Sequence, residues 1–269
     1  MLNQVLYIIC FEFLGFDFFG SQKQPDKRTV QGEIEKALST LIKDKISIIM
    51  SGRTDAKVSA KFQTAHFVLN REIKDTDGFL YHLNCILPAD VKVFELRKAN
   101  PNFHAQKSAK YKHYKYTILN DHVASVFDNL QYLFYPYHEL DIERMNKSLS
   151  YLIGHHDFSA FKSHSDNPYD DCIIYYAKAM KVKKLNRNFI SVDIIGNRFL
   201  YNMVRTIIGE LLLIERKQLP LDTMEIVLKS KDRSKAASVA EPKALCLEYV
   251  GYDDVKEYIN QQQKEGNLK

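Results

Sequence analysis

Residues 46–69 read ISIIM, then SGRTDAKVSAKFQ, then TAHFVL, and this stretch decides the class of fold. The two outer pieces are short apolar runs, which predicts strands at residues 46–50 and 64–69. The middle piece holds glycine, serine and aspartate, the residue types that form turns. We therefore expect a loop held at the end of a strand, where reactive groups often lie.

Helices are predicted on both sides of this pair of strands. Thr29 is placed to cap a helix with its apolar residues on one face, and Asp77 to cap a second helix that Pro88 ends. Residues 5–13 form a continuous apolar run, typical of a strand covered on both faces, and residues 91–96 predict another strand. The first half of the chain therefore alternates strands with helices.

The second half repeats this pattern loosely. Its predicted elements are a strand at 112–118, a helix from Asp141, a hairpin turning at 186–188, a helix at 199–214, a helix from Asp222 and a strand at 244–250, with a frayed tail after Tyr258. Two similar halves that mix strands and helices predict an α+β fold with helices on one face of the sheet. We place the two subdomains at residues 1–106 and 107–269.

Composition sets wide limits on the function. The chain has 269 residues, 45% of them hydrophobic and 26% charged, which is typical of a globular protein that needs no metal or disulfide to fold. Its net charge of +5 permits an anionic partner without requiring one. Four scattered cysteines suit free thiols in a reducing cytosol. No uncharged apolar stretch reaches about 18 residues, so a membrane span is not expected.

Asp55 is the fifth residue of the SGRTDA stretch, residues 51–56. Gly52 can adopt backbone angles that other residues avoid, which would let the loop turn sharply after the strand. Two interpretations stay open from spacing alone. Asp55 either bonds to nearby backbone amides in an ordinary turn, or it is a reactive carboxylate presented at a strand end.

A second feature is the basic, tyrosine-rich segment at residues 107–118. It contains four lysines and three tyrosines and no acid: Lys107, Lys110, Lys112, Lys115, Tyr111, Tyr114 and Tyr116. Strand alternation puts Tyr114 and Tyr116 on one side with Lys112, and Lys115 on the other side with His113. Aromatic faces among cations suit the stacking of bases and the binding of phosphates, although tyrosines in a core and lysines in water would give the same pattern.

A third feature is Arg205, which lies in a helix that is apolar almost all round and should be buried. A buried guanidinium needs an anionic partner, and the sequence offers Asp55, Asp193 and Glu210. The pair would be either a structural ion pair or a device that positions a catalytic carboxylate and keeps it ionised.

These features resemble the TruA-type tRNA pseudouridine synthases over nearly the whole chain. The matching motifs are GRTDA at 52–56, TVQGEIEKAL at 29–38, NFHA at 102–105, GHHDFSAF at 154–161, NRFLYNMVR at 197–205 and the closing segment at 236–247. The resemblance implies an isomerase with two ferredoxin- or RRM-like halves that share a central, mostly antiparallel sheet. It also implies a cytoplasmic homodimer that modifies uridines 38 to 40 in the tRNA anticodon stem-loop, with no metal and no organic cofactor.

The resemblance also implies roles for individual residues. Asp55 would be the catalytic carboxylate and Arg205 its partner, Tyr114 would stack on the target uracil, and Arg53 would fill the gap that the flipped base leaves. The lysines at 107, 110, 112 and 115 would hold phosphates of the RNA.

The chain departs from the family pattern at three places. Ser21 stands where a tryptophan is usual, the residues after the GRTDA motif read Lys57-Val58-Ser59 instead of Gly-Val-His, and Asp170-Asp171 replaces a basic segment. These departures leave the chemical residues in place. They predict RNA contacts around the loop that differ from the family pattern.

Three other functions fit parts of the sequence. A pseudouridine synthase acting on other tRNA positions or on another RNA is one alternative. A non-catalytic tRNA-binding protein would use the same lysines and tyrosines, but it would have no reason to bury Arg205 near Asp55. A metal-dependent hydrolase would rest on His155, His156, Asp157 and His164, yet adjacent histidines on a strand point to opposite faces.

Overall fold

A computed structural model describes residues 4–124, 126, 131–164, 168–184 and 186–268. The chain separates into two units: the first contains residues 1–109 and 247–252, and the second contains residues 110–246 and 253–269. The first unit therefore takes a short segment from the far end of the chain. The subdomain boundary expected between residues 106 and 107 stays a prediction.

The first unit is built on an antiparallel sheet with two helices. Its elements are β1 (Val5–Phe13), α1 (Val30–Ile42), β2 (Ile49–Met50), β3 (Ser59–Leu69), α2 (Thr76–Ile86) and β4 (Val91–Lys98). Strand β1 lies between β3 and β4 and is antiparallel to both, while β2 pairs with β3. The side chains of residues 7–11 in β1 are all buried, which confirms the predicted strand covered on both faces.

Local sequence explains where these helices begin. The Thr29 hydroxyl accepts a hydrogen bond from the amide of Gly32 at 3.3 Å, which confirms Thr29 as the cap of α1. Helix α2 is capped by Asp75, whose carboxylate accepts from Gly78 N at 2.9 Å, so the prediction of Asp77 was wrong by two residues. Asp77 lies in the first turn instead, where its negative charge interacts favourably with the positive end of the helix dipole.

The second unit also has an antiparallel core of strands. Its elements are β5 (Tyr111–Leu119), β6 (Leu133–Phe134), α3 (Ile142–Ser150), β7 (Gly154–Asp157), β8 (Asp171–Lys184), β9 (Arg187–Gly196), α4 (Met203–Lys217), α5 (Thr223–Ser230) and α6 (Val255–Lys264). Strand β9 lies between β5 and β8, β7 pairs with β8, and β6 runs parallel to β5. Strand β10 (Leu245–Gly251) contains the boundary between the units, after Cys246.

The fold class is confirmed: helices are mixed with strands that are almost all antiparallel. Two predictions for the second half were wrong. Helix α4 begins at Met203 instead of residue 199, because Asn202 adopts the left-handed conformation with φ of 61°. The tail after Tyr258 is not frayed, since α6 runs on to Lys264 and Leu268 is buried. None of the helices within the described ranges combines the length and the apolar character that crossing a bilayer requires.

Candidate active site

The loop at residues 51–58, called here the Asp55 loop, is fastened to strand β3 where it starts. The amide of Ser51 donates to Thr64 O at 2.8 Å, and the Ser51 hydroxyl bonds to the side-chain oxygen of Gln63. The Gln63 side-chain nitrogen donates to Gly52 O at 3.2 Å. Ser51 and Gln63 are fully buried, so these bonds form in a place where water does not compete for them.

The far end of the loop closes in a tight turn. The amide of Val58 donates to Asp55 O at 3.2 Å, and Lys57 adopts a left-handed conformation with φ of 68°. The left-handed residue is therefore Lys57, and the expectation that Gly52 would have unusual backbone angles was wrong. Asp55 is half-buried at the head of this turn, while Arg53 is exposed beside it. Both residues thus lie on one loop of the first unit.

The segment between β1 and α1, residues 14–29, packs against the Asp55 loop. A Cβ atom on Gly15 would lie 2.2 Å from Val58 O, so only glycine allows the two backbones to come this close. Gly20 has φ of 96°, and a Cβ there would lie 3.1 Å from Thr54 O. Sequence reasoning missed this packing, although two glycines five residues apart in a predicted loop are the kind of signal that indicates close backbone approach.

Ser21, which departs from the family pattern, lies in the interior of the first unit. The residue is fully buried, its hydroxyl accepts from Thr54 N at 2.8 Å, and its own amide donates to Thr54 O at 3.1 Å. The neighbouring departure, Lys57, is exposed. Ser21 therefore belongs to the support of the Asp55 loop.

In the second unit, strand β5 carries the predicted stacking residue Tyr114. Its ring is only 8% exposed and meets the Phe199 ring edge to face, with 5.1 Å between centroids. Tyr116 lies two residues further along, and its hydroxyl donates to Glu241 O at 3.0 Å. Burial, and to a smaller extent the negative charge of Glu241, raises the pKa of the Tyr116 hydroxyl. This hydroxyl therefore stays protonated and acts as a neutral hydrogen-bond donor.

The other face of β5 holds a buried charge cluster. His113 Nε2 lies 2.8 Å from Asp193 Oδ1, and Lys115 Nζ lies 3.4 Å from the same oxygen. The other ring nitrogen of His113 lies 2.8 Å from the Tyr258 hydroxyl of α6. Asp193 is fully buried on β9 and pairs with Lys115 in register. Lys115 therefore has a counter-charge, which comes from another strand because its own segment contains no acid.

The remaining three lysines differ in their surroundings. Lys107 and Lys110 are exposed, and Lys107 belongs to the first unit. Lys112 is half-buried, and its burial, with a smaller effect from the charge of Arg198, lowers the pKa of its ammonium group to about 8. A cation that is partly desolvated beside another cation suits an anionic ligand such as a phosphate.

Lys112 gives a pH-dependent prediction. A lowered pKa means that the ammonium loses its proton as the pH rises through about 8, so any phosphate contact it makes should be lost there. We expect tRNA affinity to fall between about pH 6.5 and pH 9. Over the same range, the slope of log Kd against the logarithm of the salt concentration should decrease by about one unit. Filter binding at constant ionic strength measures both quantities. The variant Lys112→Met should lack this pH step, whereas Lys229→Met should keep it, because Lys229 is exposed on α5 and pairs with Glu225 of the same helix. Equal pH steps in all three proteins would contradict the prediction.

Arg205 is the third predicted site residue, and it lies half-buried near the start of α4. Its guanidinium donates through Nε to Ala240 O at 2.8 Å and through Nη1 to Asn202 Oδ1 at 2.8 Å. Of the three anions considered as partners, Asp193 bonds to His113 and Lys115, and Glu210 accepts from Ala237 N at 2.7 Å. The pairing of Arg205 with Asp55 stays a prediction.

The segment at residues 238–240, which accepts a hydrogen bond from Arg205, packs directly against α4. The amide of Ala240 donates to Arg205 O at 3.1 Å, and a Cβ atom on Gly209 would lie 2.0 Å from Ser238 O. The backbones of the helix and of this segment are therefore in direct contact, and Gly209, one turn after Arg205, is needed for them to come so close. This contact keeps Ala240 O in place to accept from the Arg205 guanidinium.

We predict that Gly209→Ala destabilises the protein by about 2 kcal/mol or more, although alanine favours helices by about 1 kcal/mol. The reason is that the added methyl group meets backbone atoms of Ser238, which cannot rotate away. Denaturant unfolding measures the change. Gly32→Ala in α1 is the matched control, because its methyl group would meet only the Thr29 hydroxyl, at 3.0 Å. An equal loss of stability in both variants would contradict the prediction.

The histidines that suggested a hydrolase do not converge. His155 Nε2 lies 3.7 Å from an oxygen of exposed Asp171, and His156 Nε2 lies 3.1 Å from Ile153 O. Across the described ranges, no group of three or more His, Cys, Asp or Glu side chains is arranged to hold a metal ion.

Comparison with known proteins finds relatives that match most of this chain. The family described as tRNA pseudouridine synthase matches residues 149–253. A tRNA pseudouridine synthase A of Thermoanaerobacter sp. (strain X514) is 38% identical, over 89% of this chain and 96% of the relative. Proteins of the same name from Lactobacillus acidophilus and Borrelia turicatae are 35% and 36% identical, over 96% and 94% of this chain and 98% and 100% of the relatives.

The α+β fold and these relatives define an enzyme of the isomerase class that acts on tRNA uridines. Since the identity extends over nearly the full length of both proteins, the chain belongs to the tRNA pseudouridine synthase A family. The resemblance found in the sequence motifs is thereby confirmed. The roles of individual residues stay predictions.

Proposed function

We propose that this enzyme converts uridines 38 to 40 of the tRNA anticodon stem-loop to pseudouridine, with Asp55 as the catalytic carboxylate. The observation that carries the proposal is the fixed position of Asp55 on a loop that is bonded to β3 at its start and closed by the Asp55–Val58 turn at its end. A carboxylate held in this way meets the requirement that a reacting group be oriented before the substrate arrives.

The reaction is balanced within the nucleotide. The C1′–N1 bond breaks, the uracil turns, C5 bonds to C1′, N1 gains a proton and C5 loses one. Asp55 either attacks C1′ as a nucleophile or stabilises a cation at the sugar, and in both cases it must be ionised. Before this chemistry the base must leave its stack, which costs a few kcal/mol.

Arg205 is the proposed partner of Asp55. A cation near the carboxylate opposes the tendency of a half-buried acid to take up a proton. Two observations support this role. The guanidinium is oriented by Ala240 O and Asn202 Oδ1, and the two other candidate anions, Asp193 and Glu210, have bonds elsewhere.

The other roles concern the extruded nucleotide and its phosphates. Tyr114 offers a ring held edge to face by Phe199, against which the uracil would stack while it turns, and its hydroxyl would help to move the C5 proton. Arg53 is exposed on the Asp55 loop and would fill the space that the base leaves. Lys107, Lys110 and Lys112 are proposed to bind RNA phosphates. Lys115 has a weaker case, because Asp193 already offsets its charge.

We also propose that the enzyme works in the cytoplasm as a homodimer that cradles one tRNA across both subunits, without a metal or organic cofactor. This part of the proposal rests on the family resemblance.

Mapping of pseudouridine tests the proposed substrate. Purified enzyme is incubated with unmodified tRNA transcripts, and modified positions are located by sequencing. We expect pseudouridine at positions 38 to 40 and none in transcripts that carry cytidine there. Modification of other positions, or of another RNA, would favour the alternative synthase. Binding of tRNA without tritium release from C5-labelled uridine would indicate a non-catalytic binding protein.

A further inference from the structure

The Asp55 loop has a second anchor that lies outside its own strands. Ser21 comes from the segment between β1 and α1, and it bonds to the backbone of Thr54 in both directions. Thr54 N donates to the Ser21 hydroxyl at 2.8 Å, and Ser21 N donates to Thr54 O at 3.1 Å. Thr54 directly precedes Asp55, so this double contact lies one residue from the proposed catalytic carboxylate.

The anchor is itself held by a rigid element. Ser21 O accepts from Gln31 N at 2.9 Å, in the first turn of α1, and Gly20 O accepts from Val30 N at 3.5 Å. A continuous series of hydrogen bonds therefore joins the start of α1, through Ser21, to the backbone beside Asp55. Because Ser21 is fully buried, its hydroxyl has no competing water.

Thr54 depends on these backbone bonds. Its side-chain hydroxyl is buried and has no hydrogen-bond partner in the described part of the structure, so the side chain does not fix the loop through a polar contact. Gly20, with φ of 96°, brings the Ser21 backbone close enough for the contact. Replacing the Ser21 hydroxyl would leave Thr54 N buried without an acceptor, and the loop would have to move to satisfy it.

We infer that Ser21 is a positioning residue for the isomerisation: it fixes the backbone at Thr54 and thereby aims the Asp55 carboxylate at the reacting sugar. The inference rests on the proposed catalytic role of Asp55. A displacement of about 1 Å in a reacting group can lower a rate by about 100-fold, so a single buried bond at this position has a large effect on turnover.

The test separates turnover from substrate binding. In Ser21→Ala we expect kcat for pseudouridine formation to fall by about 10- to 100-fold, with KM for tRNA within about 2-fold of the wild type. Ser39→Ala is the matched control, because the Ser39 hydroxyl accepts from Ile46 N at 3.0 Å, the same kind of bond at a different loop of the same unit. This control should keep the wild-type kcat.

A second pair of variants isolates the hydroxyl. The side chains introduced by Ser21→Thr and Ser21→Val have nearly the same shape, so any clash with their surroundings affects both variants alike. Only threonine keeps the hydroxyl oxygen that accepts from Thr54 N. Threonine should turn over faster than valine by about 10-fold or more. Hydrogen exchange of the Thr54 amide gives a readout without activity: it should be fast in the alanine and valine variants and slow in the wild type and in Ser39→Ala.

The outcomes distinguish this inference from the proposed function. If Asp55→Asn abolishes activity while Ser21→Ala turns over like Ser39→Ala, Ser21 has no positioning role. Equal exchange of the Thr54 amide in all variants overturns it as well. If the wild type forms no pseudouridine, or Asp55→Asn forms it normally, the proposed function fails, and the exchange measurement alone then decides whether Ser21 fixes the loop.

Discussion

Asp55→Asn should reduce pseudouridine formation by about 10⁴-fold or more while leaving the protein folded. The amide has nearly the same size as the carboxylate, but it carries no negative charge to stabilise a sugar cation and cannot act as the nucleophile. Losses of this size are typical when the reacting group of an enzyme is removed. Release of tritium from C5-labelled tRNA, measured under single-turnover conditions, follows the reaction directly.

The control for this variant is Asp77→Asn. Asp77 is an exposed acid of the same unit in the first turn of α2, and its substitution makes the same change in net charge. It should keep the wild-type rate. Asp55→Asn should still bind tRNA and unfold near the wild-type temperature. Turnover by Asp55→Asn within about 10-fold of the wild type would exclude the carboxylate as the reacting group.

Arg205→Lys should lower the rate by about 100-fold or more, although it preserves the positive charge. Lysine lacks the planar guanidinium group, whose N–H donors point in several fixed directions. It therefore cannot donate to Ala240 O and Asn202 Oδ1 while presenting a further N–H group to a carboxylate. The proposed ion pair would then lose its orientation. Single-turnover rates should fall, whereas the tRNA dissociation constant should change by only about 2-fold, because the loss is in positioning.

The same helix supplies the control. Arg216→Lys makes the identical exchange at an exposed position in the last turn of α4 and should have no effect on the rate. A wild-type rate in Arg205→Lys would leave Arg205 with a structural role only.

The sequence predicted the fold well where local signals are strong. The apolar run of β1 and the caps at Thr29 and Asp141 are all where the pattern placed them, because periodicity and capping act over a few residues. The start of α4 was missed because residues 199–201 are apolar like the helix that follows, while the left-handed backbone at Asn202 prevents a helix from starting before Met203. Apolar periodicity does not report such a backbone change.

The site was predictable only in part. The GRTDA motif and the apolar helix around Arg205 named Asp55 and Arg205 as candidates, and their roles stay predictions. The contacts between distant segments were not predictable: Lys115 and Asp193 are far apart in sequence and meet only because β5 pairs with β9 in one register. Ser21 was noticed as a departure, but its burial against Thr54 depends on two backbones approaching at Gly20. No single-sequence pattern contains that information.

The contribution of residues 247–252 to the first unit also bears on biosynthesis. Tyr249 packs its ring on Phe62 with 4.6 Å between centroids, and the Tyr252 hydroxyl donates to Ala105 O at 2.8 Å. The unit that carries Asp55 is therefore incomplete until the final strand has emerged from the ribosome. Domains that are contiguous in sequence can fold while the chain is still being made. Here a nascent or prematurely terminated chain that lacks residues 247–252 also lacks part of the unit that carries Asp55, so a truncated translation product cannot complete that unit.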